Sequence, residues 1–600
     1  MARLVKRIIL VTLLCLLPVW VALAQGPVFH QTDLWALPYE DLSDLLRRYP
    51  GMYPLDYGTL GAPMAFRPWN LHPWELRVER DGILQNRRFD GLYEPNLQPA
   101  GELETIRYDF LSGGAAGLFS LTTRTLKADT PYSEFQIREG YYGYGTVDFA
   151  HGQRLHRSLT LEMTGRLGWY DGMRTPSASR ATRVRGRVGM DLGRRWRAQA
   201  TYSGSNVKTQ FLPNPHHDYV PSRVEGILEV FEKDSLRTVW SPSLTIYSRE
   251  DRETWGSPWR ARELNSGLMA EVHAQLARQH FTFRHFDSWT DINFPGMTRR
   301  SELAMGLTAC DSLALNVFAL DLRAGIRRES GWSASRERDQ RWLADFSARA
   351  ETQSWWNVRV RAGGSYSESA VPIGWWRGEY RLADRPLVIA PEMTNLMLDY
   401  AGAHQGGPPV DRYLGSEVGV RWSRGPALCD VAMMTIARPG DFSSRFVLAD
   451  TAVRLIHERD PNQKTQVGLA GGAVVPLWYG LRIESWWFRQ ANNSDVGESS
   501  DARGWSRLYF ERAFFKSPLT IRSHLSYEYL GKRWAFSDRF PAGVFIGPSH
   551  LFGFRVSATV RGVTLIWGTE NVLKESYSFM PGYRMIAKEE YLSFIWRLWL

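Results

Sequence analysis

The densest run of side chains able to ligate a metal or hold a polar solute is His216-His217-Asp218-Tyr219, two imidazoles, a carboxylate and a phenol in succession. Imidazole and carboxylate suit Zn, Cu or Fe, so these four residues are candidates for capturing a solute such as a metal chelate. Adjacent imidazoles seldom aim at one ion, and a solvated loop accounts for the same residues, so no metal ligand set is assigned. The glycines of Gly113-Gly114-Ala115-Ala116-Gly117 invite comparison with a phosphate cradle. P-loop spacing and the following Lys-Ser/Thr are both missing, and the run reads as a turn. Gly-x-Ser-x-Gly, His-Glu-x-x-His and Cys-x-x-Cys are absent from the sequence. A Ser/His pair of a barrel phospholipase need not be close in sequence, but nothing singles one out. No catalytic residue and no cofactor is assigned, and the chain reads as a non-enzyme.

The elements that would position such residues are read from composition and period. At 600 residues the chain is long enough for several domains or one large barrel. Charged residues make up 23% and mean hydropathy is -0.33, yet there are 25 Trp, 25 Tyr and 28 Phe. After the N-terminus no stretch approaches the roughly 20 apolar residues of a membrane helix. A chain polar on average, aromatic-rich and alternating fits a barrel with a polar lumen, a lipid-facing apolar surface and aromatic girdles.

The opening residues carry Arg3, Lys6 and Arg7, an apolar run from Ile8, and Ala22-Leu23-Ala24 before Gln25. They read as a secretory signal peptide over 1–24, with Cys15 inside the apolar run. Cys310 and Cys429 then remain, too far apart in sequence to form a framework pattern. The net charge of +10 becomes +7 without those three basic residues. Arginines fall at alternate strand positions, as in Arg183, Arg185 and Arg187, which suits a charged lumen or anionic lipid head groups rather than nucleic acid.

From about Tyr132 onward, period-two segments follow one another. In "SLTLEMTGRLGWY" Leu159, Leu161, Met163, Gly165, Leu167 and Trp169 share one face, and Thr160, Glu162, Thr164 and Arg166 the other. "PLTIRSHLSYEYL" sets Leu519, Ile521, Leu525, Tyr527 and Tyr529 against Arg522, His524 and Glu528. A half-buried strand of a soluble sandwich alternates too. Lengths of about 10 residues and an apolar face free of charge favour the membrane. Inward charges such as Glu162, Arg166, Arg185 and Arg522 serve either as plug partners or as a path for solute. Gly193-Arg194-Arg195 predicts a tight turn, and Ser203 to about Arg223 a long loop on the outer side. At the far end Leu592, Phe594, Trp596, Leu598 and Leu600 form an apolar stripe broken by Ser593 and Arg597. It predicts a closing strand, paired with the first strand near Tyr132 and facing lipid.

The stretch from 25 to 129 is different. Leu42, Leu45, Leu46 and Tyr49 are at helical spacing and Pro50-Gly51 ends the run. Strand-like segments surround Asp81-Gly82 and the glycines 113, 114 and 117. This predicts a small α+β unit ahead of a barrel spanning 130–600.

The order of these features resembles the TonB-dependent outer-membrane receptors, in which a plug precedes a barrel. Leu46-Arg47-Arg48-Tyr49-Pro50-Gly51 is similar to the family's Leu-x-x-x-Pro-Gly, and Val78 to Gly82 to its strand and Asp-Gly turn. Leu103-Glu104-Thr105-Ile106-Arg107-Tyr108 and Gly113 to Thr122 follow in the family's order, and Trp567-Gly568, Glu570 to Leu573, Tyr577 and Pro581-Gly582-Tyr583 match its penultimate strand and turn. Arg67-Pro68 stands where Arg-Gly is common, and "GPVFHQTDLWAL" carries no recognisable TonB box. The resemblance implies an all-β membrane protein of about 22 strands, within roughly 18 to 22, around an N-terminal plug. Pro50, Gly51, Arg67, Asp81, Gly82, Gly113, Gly114 and Gly117 are its structural plug residues. The implied location is the outer membrane of a Gram-negative-type bacterium. The implied partners are outer-membrane lipid and lipopolysaccharide, the barrel-assembly machinery, TonB and an unidentified solute, with a monomeric barrel and no nucleic acid. The implied role is binding a solute outside and admitting it by plug rearrangement. A TonB-uncoupled barrel for secretion or surface assembly, and a passive porin, are the alternatives.

Overall fold

The computed structural model describes residues 42–369 and 413–599 apart from connecting stretches, together with Phe29 and His30. The expected signal peptide, the rest of 25–37, and Pro50, Gly113, Gly114, His216, His217 and Leu600 lie outside the described residues. Among the described residues twenty-two strands form one closed barrel, each antiparallel to its neighbours. Closure is made by the strands Glu589–Trp599 and Tyr132–Gly140, which pair from Tyr591↔Gly140 to Trp599↔Tyr132. Every strand therefore has a partner on both sides, the arrangement that satisfies backbone hydrogen bonds where no water is present.

The wall is apolar outside and polar inside. Phe135, Ile137, Met163, Leu167, Val184, Val188 and Met190 are exposed, while Glu134, Arg138, Glu162, Arg166, Arg183, Arg185 and Arg187 on the same strands are buried. The closing strand follows the rule, with Leu592, Phe594 and Trp596 outward and Ser593 and Ile595 inward. A sandwich in water would be built the other way round, so this pattern decides between the two readings of the alternation. Trp169, Tyr141 and Tyr142 are exposed at one rim and Trp478, Tyr479 and Phe515 at the other, the positions of two interfacial girdles.

Strand lengths run from 8 residues in Val563–Glu570 to 18 in Trp259–Leu276, beyond the expected 10. The two rims differ. One has tight turns, at 157–158, 193–195 and 561–562, and lies beside the chain's entry into the barrel. The other carries the hairpins Asp441–Ala449 with Ala452–Asp460 and Arg533–Ala535 with Val544–Ile546. The long loop expected over Ser203 to Arg223 is corrected. Strand Trp196–Gln210 continues through the Ser/Gly/Asn run and its neighbour restarts at Asp218, leaving only 211–217 between them. Polar residues beyond the membrane edge still complete the ladder, so local composition mimicked a loop.

The two cysteines are also placed. Cys310 lies on Arg300–Ala314 and Cys429 on Ala427–Ala437, five strands further round the barrel. At about 4.8 Å per strand the wall separates them by on the order of 20 Å, which excludes a bond between them.

Ahead of the barrel, the helix Leu42–Leu46 is followed by the paired strands Met52–Leu55 and Ala65–Pro68. A mixed sheet follows in the order Phe29–His30, Leu103–Phe110, Gly117–Thr123, Leu76–Arg80, Ile83–Leu84. Asp81 and Gly82 both have positive φ, 50° and 80°, and turn the last two strands into a hairpin. The Asp81 carboxylate then accepts from the Thr123 backbone N–H at 2.9 Å and from its hydroxyl, tying the turn to the neighbouring strand. Gly117 meets a packing demand instead, because a Cβ there would lie 2.5 Å from the Tyr108 ring. That ring meets Tyr49 edge-on and Phe119 at a tilt in the unit's core.

Candidate functional site: a plug gripped inside a charged lumen

The α+β unit occupies the lumen and is held differently on its two sides. Against the strands Gln466–Pro476, Leu481–Gln490 and Ala502–Phe514 the contact is mainly apolar. Leu42, Leu45, Leu46, Tyr49 and Phe66 share one buried cluster with Ala470, Trp486, Phe488 and Trp505. The helix stripe predicted from Leu42, Leu45 and Leu46 is therefore buried against the barrel as well as its own sheet. Tyr53 and Leu55 continue this side against Leu530, Leu551, Phe579 and Met580.

The opposite side, facing the strands from Ser179–Leu192 to Gln279–Asn293, is held by ions and hydrogen bonds. Barrel arginines donate to plug backbone carbonyls. Arg183 reaches Asn96, Arg185 reaches Arg124 at 3.2 Å, Arg223 reaches Gln85 at 3.2 Å, and Arg249 reaches Leu84 and Asn86. Plug arginines answer toward barrel carboxylates, Arg80 to Glu225 and Arg87 to Glu253, while Glu79 lies 3.6 Å from Arg284. Arg124 pairs with Glu134 at 3.1 Å where the unit joins the first barrel strand. Behind them Arg223 binds Asp251 at 2.6 Å, and Arg249 binds Asp251 at 2.8 Å and Glu263 at 3.5 Å. Charges this deep persist only because each has an opposite charge or a carbonyl to meet it.

Glu94 sits near the long-loop rim of this polar side. It accepts from the Tyr219 hydroxyl at 2.8 Å and from the Asn96 side chain at 2.8 Å, and caps the short turn Pro95–Leu97 through the Asn96 N–H. Burial pushes its carboxyl up to about 7 against the opposing pull of Arg87 and the Tyr219 hydrogen bond. Tyr93 beside it is also raised by burial. A second node lies where Arg47 and Arg48, at the end of the helix, meet Glu528, Glu570 and Glu589 around a cavity of about 20 Å³. Arg48 also stacks over Trp505 at 5.3 Å.

Of the expected solute cluster the structure describes two residues. Asp218 and Tyr219 lie on the strand Asp218–Glu232, not in a loop. Asp218 pairs with Lys208 at 2.7 Å, whereas Tyr219 points inward onto Glu94 and is 1% exposed. Among the described residues no group of three metal-ligating side chains comes together. Arg67 is buried in the strand pair with Tyr53 opposite. Sequence reasoning missed Glu94 entirely, although Glu-Pro-Asn has the form of a capped turn. It found the alternating arginines but had no means of seeing that their partners are carbonyls.

A closed barrel of this size filled by an N-terminal α+β unit defines the class as a plugged barrel. Scans against models of protein families and against curated proteins give no match. Among solved structures, the siderophore receptor PirA from Acinetobacter baumannii has a TM-score of 0.70 at 12% identity, over 96% of this chain and 98% of that one. The iron transporter FrpB from Neisseria meningitidis gives 0.74 at 10%, over 96% and 100%, and the copper transporter OprC 0.74 at 11%, over 97% and 99%. This chain shares their fold over 96–97% of its length.

Proposed function

We propose that the protein is an outer-membrane receptor and transporter that binds a solute at the long-loop rim and admits it when the plug shifts, with TonB supplying the energy. On this reading residues 1–24 direct export, the short-turn rim faces the periplasm, and the segment 25–37 is what TonB engages. Lipid and lipopolysaccharide surround the apolar wall, which the barrel-assembly machinery inserts. The observation that carries the proposal is the two-sided grip. A plug fixed on all sides by apolar contacts would be a permanent stopper, whereas charge-assisted hydrogen bonds to the wall can be exchanged for water as the plug moves. The polar side is therefore where a passage opens. Siderophore-bound iron and copper, the cargoes named for the similar structures, are the first solutes to test.

Two measurements test this. Deleting residues 42–129 should leave a barrel that inserts and makes the outer membrane permeable to a bulky antibiotic. A folded, inserted barrel without that leak would remove the plug's role. Accumulation of labelled iron chelates or copper should depend on both this protein and TonB; uptake that needs the protein but is unchanged without TonB would leave the receptor and refute the coupling.

A further inference from the structure

We infer that a continuous patch of rings on the outer wall, Trp487, Tyr527, Tyr529, His550 and Phe552, is a docking surface for lipopolysaccharide, holding the phosphorylated amino-sugar head of its lipid A. The inference rests on the outer-membrane location proposed above, but on neither plug movement nor TonB. The rings stand on the strands Leu481–Gln490, Leu519–Leu530 and Ser549–Val560, each within three residues of the long-loop end. That is the level at which acyl chains give way to head groups. A girdle needs only separate rings there, and these touch. Trp487 stacks on Tyr529 at 6.1 Å and 30°, and Tyr529 reaches His550 at 5.2 Å. His550 stacks on Tyr527 at 6.1 Å and 25°, and Tyr527 meets Phe552 at 4.9 Å.

Strand register lays the patch flat. Trp487 is the cross-strand partner of Gly504, which is opposite Tyr529 in turn. A Cβ at Gly504 would lie 2.1–2.4 Å from the indole, so the Trp487 ring lies down across the glycine toward Tyr529, and it is still 39% exposed. Its N–H donates to the Ser485 hydroxyl at 2.7 Å, and the Tyr527 hydroxyl is hydrogen-bonded to His550 Nδ1 at 2.8 Å. These polar atoms are satisfied within the wall, which leaves ring faces for contact. Three chemistries are then layered along the surface. Toward the membrane centre the exposed Ile483, Leu508 and Leu525 suit acyl chains. The π faces suit the electropositive C–H face of a sugar ring. At the outer edge Arg489, two residues beyond Trp487, Lys532, just past Leu530, and Lys574, in the turn beside His550, are exposed and make no ion pair among the described residues. The acids of that edge, Asp501 and Glu575, are half-buried, and Glu575 accepts the His550 backbone N–H at 2.9 Å. The bases therefore remain for phosphate groups. A phospholipid offers chains and a phosphate but nothing flat to cover the rings, whereas an acylated, phosphorylated amino sugar offers all three.

The test is equilibrium binding of fluorescently labelled lipid A to the full chain in detergent micelles, with unlabelled lipid A or phosphatidylglycerol as competitor. Saturable binding is expected, displaced by lipid A and not by phosphatidylglycerol. It should weaken about tenfold in Trp487→Leu and about fivefold in Arg489→Gln, and stay unchanged in Trp596→Leu, which faces lipid on the closing strand. Folding of each variant is checked by its heat-dependent mobility on gels, and Tyr529→Leu takes the place of Trp487→Leu if that variant fails to fold. Full displacement by phosphatidylglycerol identifies a general lipid surface and overturns the inference, as does the absence of saturable binding or equal affinity in the parent and the folded ring variants. Location is read separately by fractionating membranes of the source cells. Absence from the outer membrane would refute the reading on which the inference rests, whereas lack of binding by a protein found there would refute the inference alone.

Discussion

Glu94 concentrates the chemistry of plug docking in one side chain. Its carboxyl is raised from 4.5 to about 7 by burial, so the docked state holds a proton that the released state gives up. A raised carboxyl stabilises fully below its unfolded pKa, and that contribution is lost as pH rises through the docked value. Protection of the plug from protease should thus weaken from about pH 5 to pH 8, by on the order of 3 kcal/mol, and Glu94→Gln should flatten the profile. A Glu94→Gln profile as steep as the parent's would assign the pH dependence elsewhere. Arg223 makes a second residue-scale case, since it joins Asp251, the Gln85 side chain and the Gln85 carbonyl. Arg223→Met should cost roughly 3 kcal/mol of docking in urea titrations, the low end for a broken buried pair because Asp251 keeps Arg249.

At the scale of elements, the strands were legible because one face must be dry and the other charged, a demand that writes period two directly into the chain. In Leu159 to Tyr170 the exposed Met163, Leu167 and Trp169 alternate with buried Thr160, Glu162, Thr164 and Arg166, and in the last strand Leu592, Phe594 and Trp596 are exposed, for this reason. The run from Ser203 to Arg223 was misread because outside the membrane neither face is forced to be apolar, and a polar strand then resembles a loop. Docking was legible only in part: inward arginines were candidate plug partners, as Arg185 is, but a carbonyl acceptor leaves no mark on residue type, and Asn96 and Leu84 could be exchanged without changing the groups that Arg183 and Arg249 take from them. The closing strand supports a sharper expectation. Phe594 faces lipid, and Phe594→Arg should reduce stability in liposomes by about 2–4 kcal/mol if its position is near the bilayer midplane. The unfolding free energy measured by Trp fluorescence reads this, and a loss below about 1 kcal/mol would place the residue at the interface.

For the whole molecule, the unequal sides of the plug predict unequal consequences of tethering. The Ser205 hydroxyl donates to the Leu97 carbonyl at 2.8 Å on the polar side, and Arg503 donates to the Met52 carbonyl at 2.6 Å on the other. In planar bilayers urea is expected to open a channel by releasing the plug, and a short thiol crosslinker between Leu97→Cys and Ser205→Cys should suppress that opening. The same link between Met52→Cys and Arg503→Cys should leave most of it. The reverse result would make the polar wall the side on which the plug stays fixed.

The pairing of Trp599 with Tyr132 also carries a message about time. Strands between them can zip up locally as neighbours appear, but the circle's final contact joins residues hundreds of positions apart. Until then two unpaired edges remain available to any other chain, the condition under which strands aggregate. The chain is therefore most exposed to mispairing before the ring closes, and completion of the ring is the event that ends that exposure.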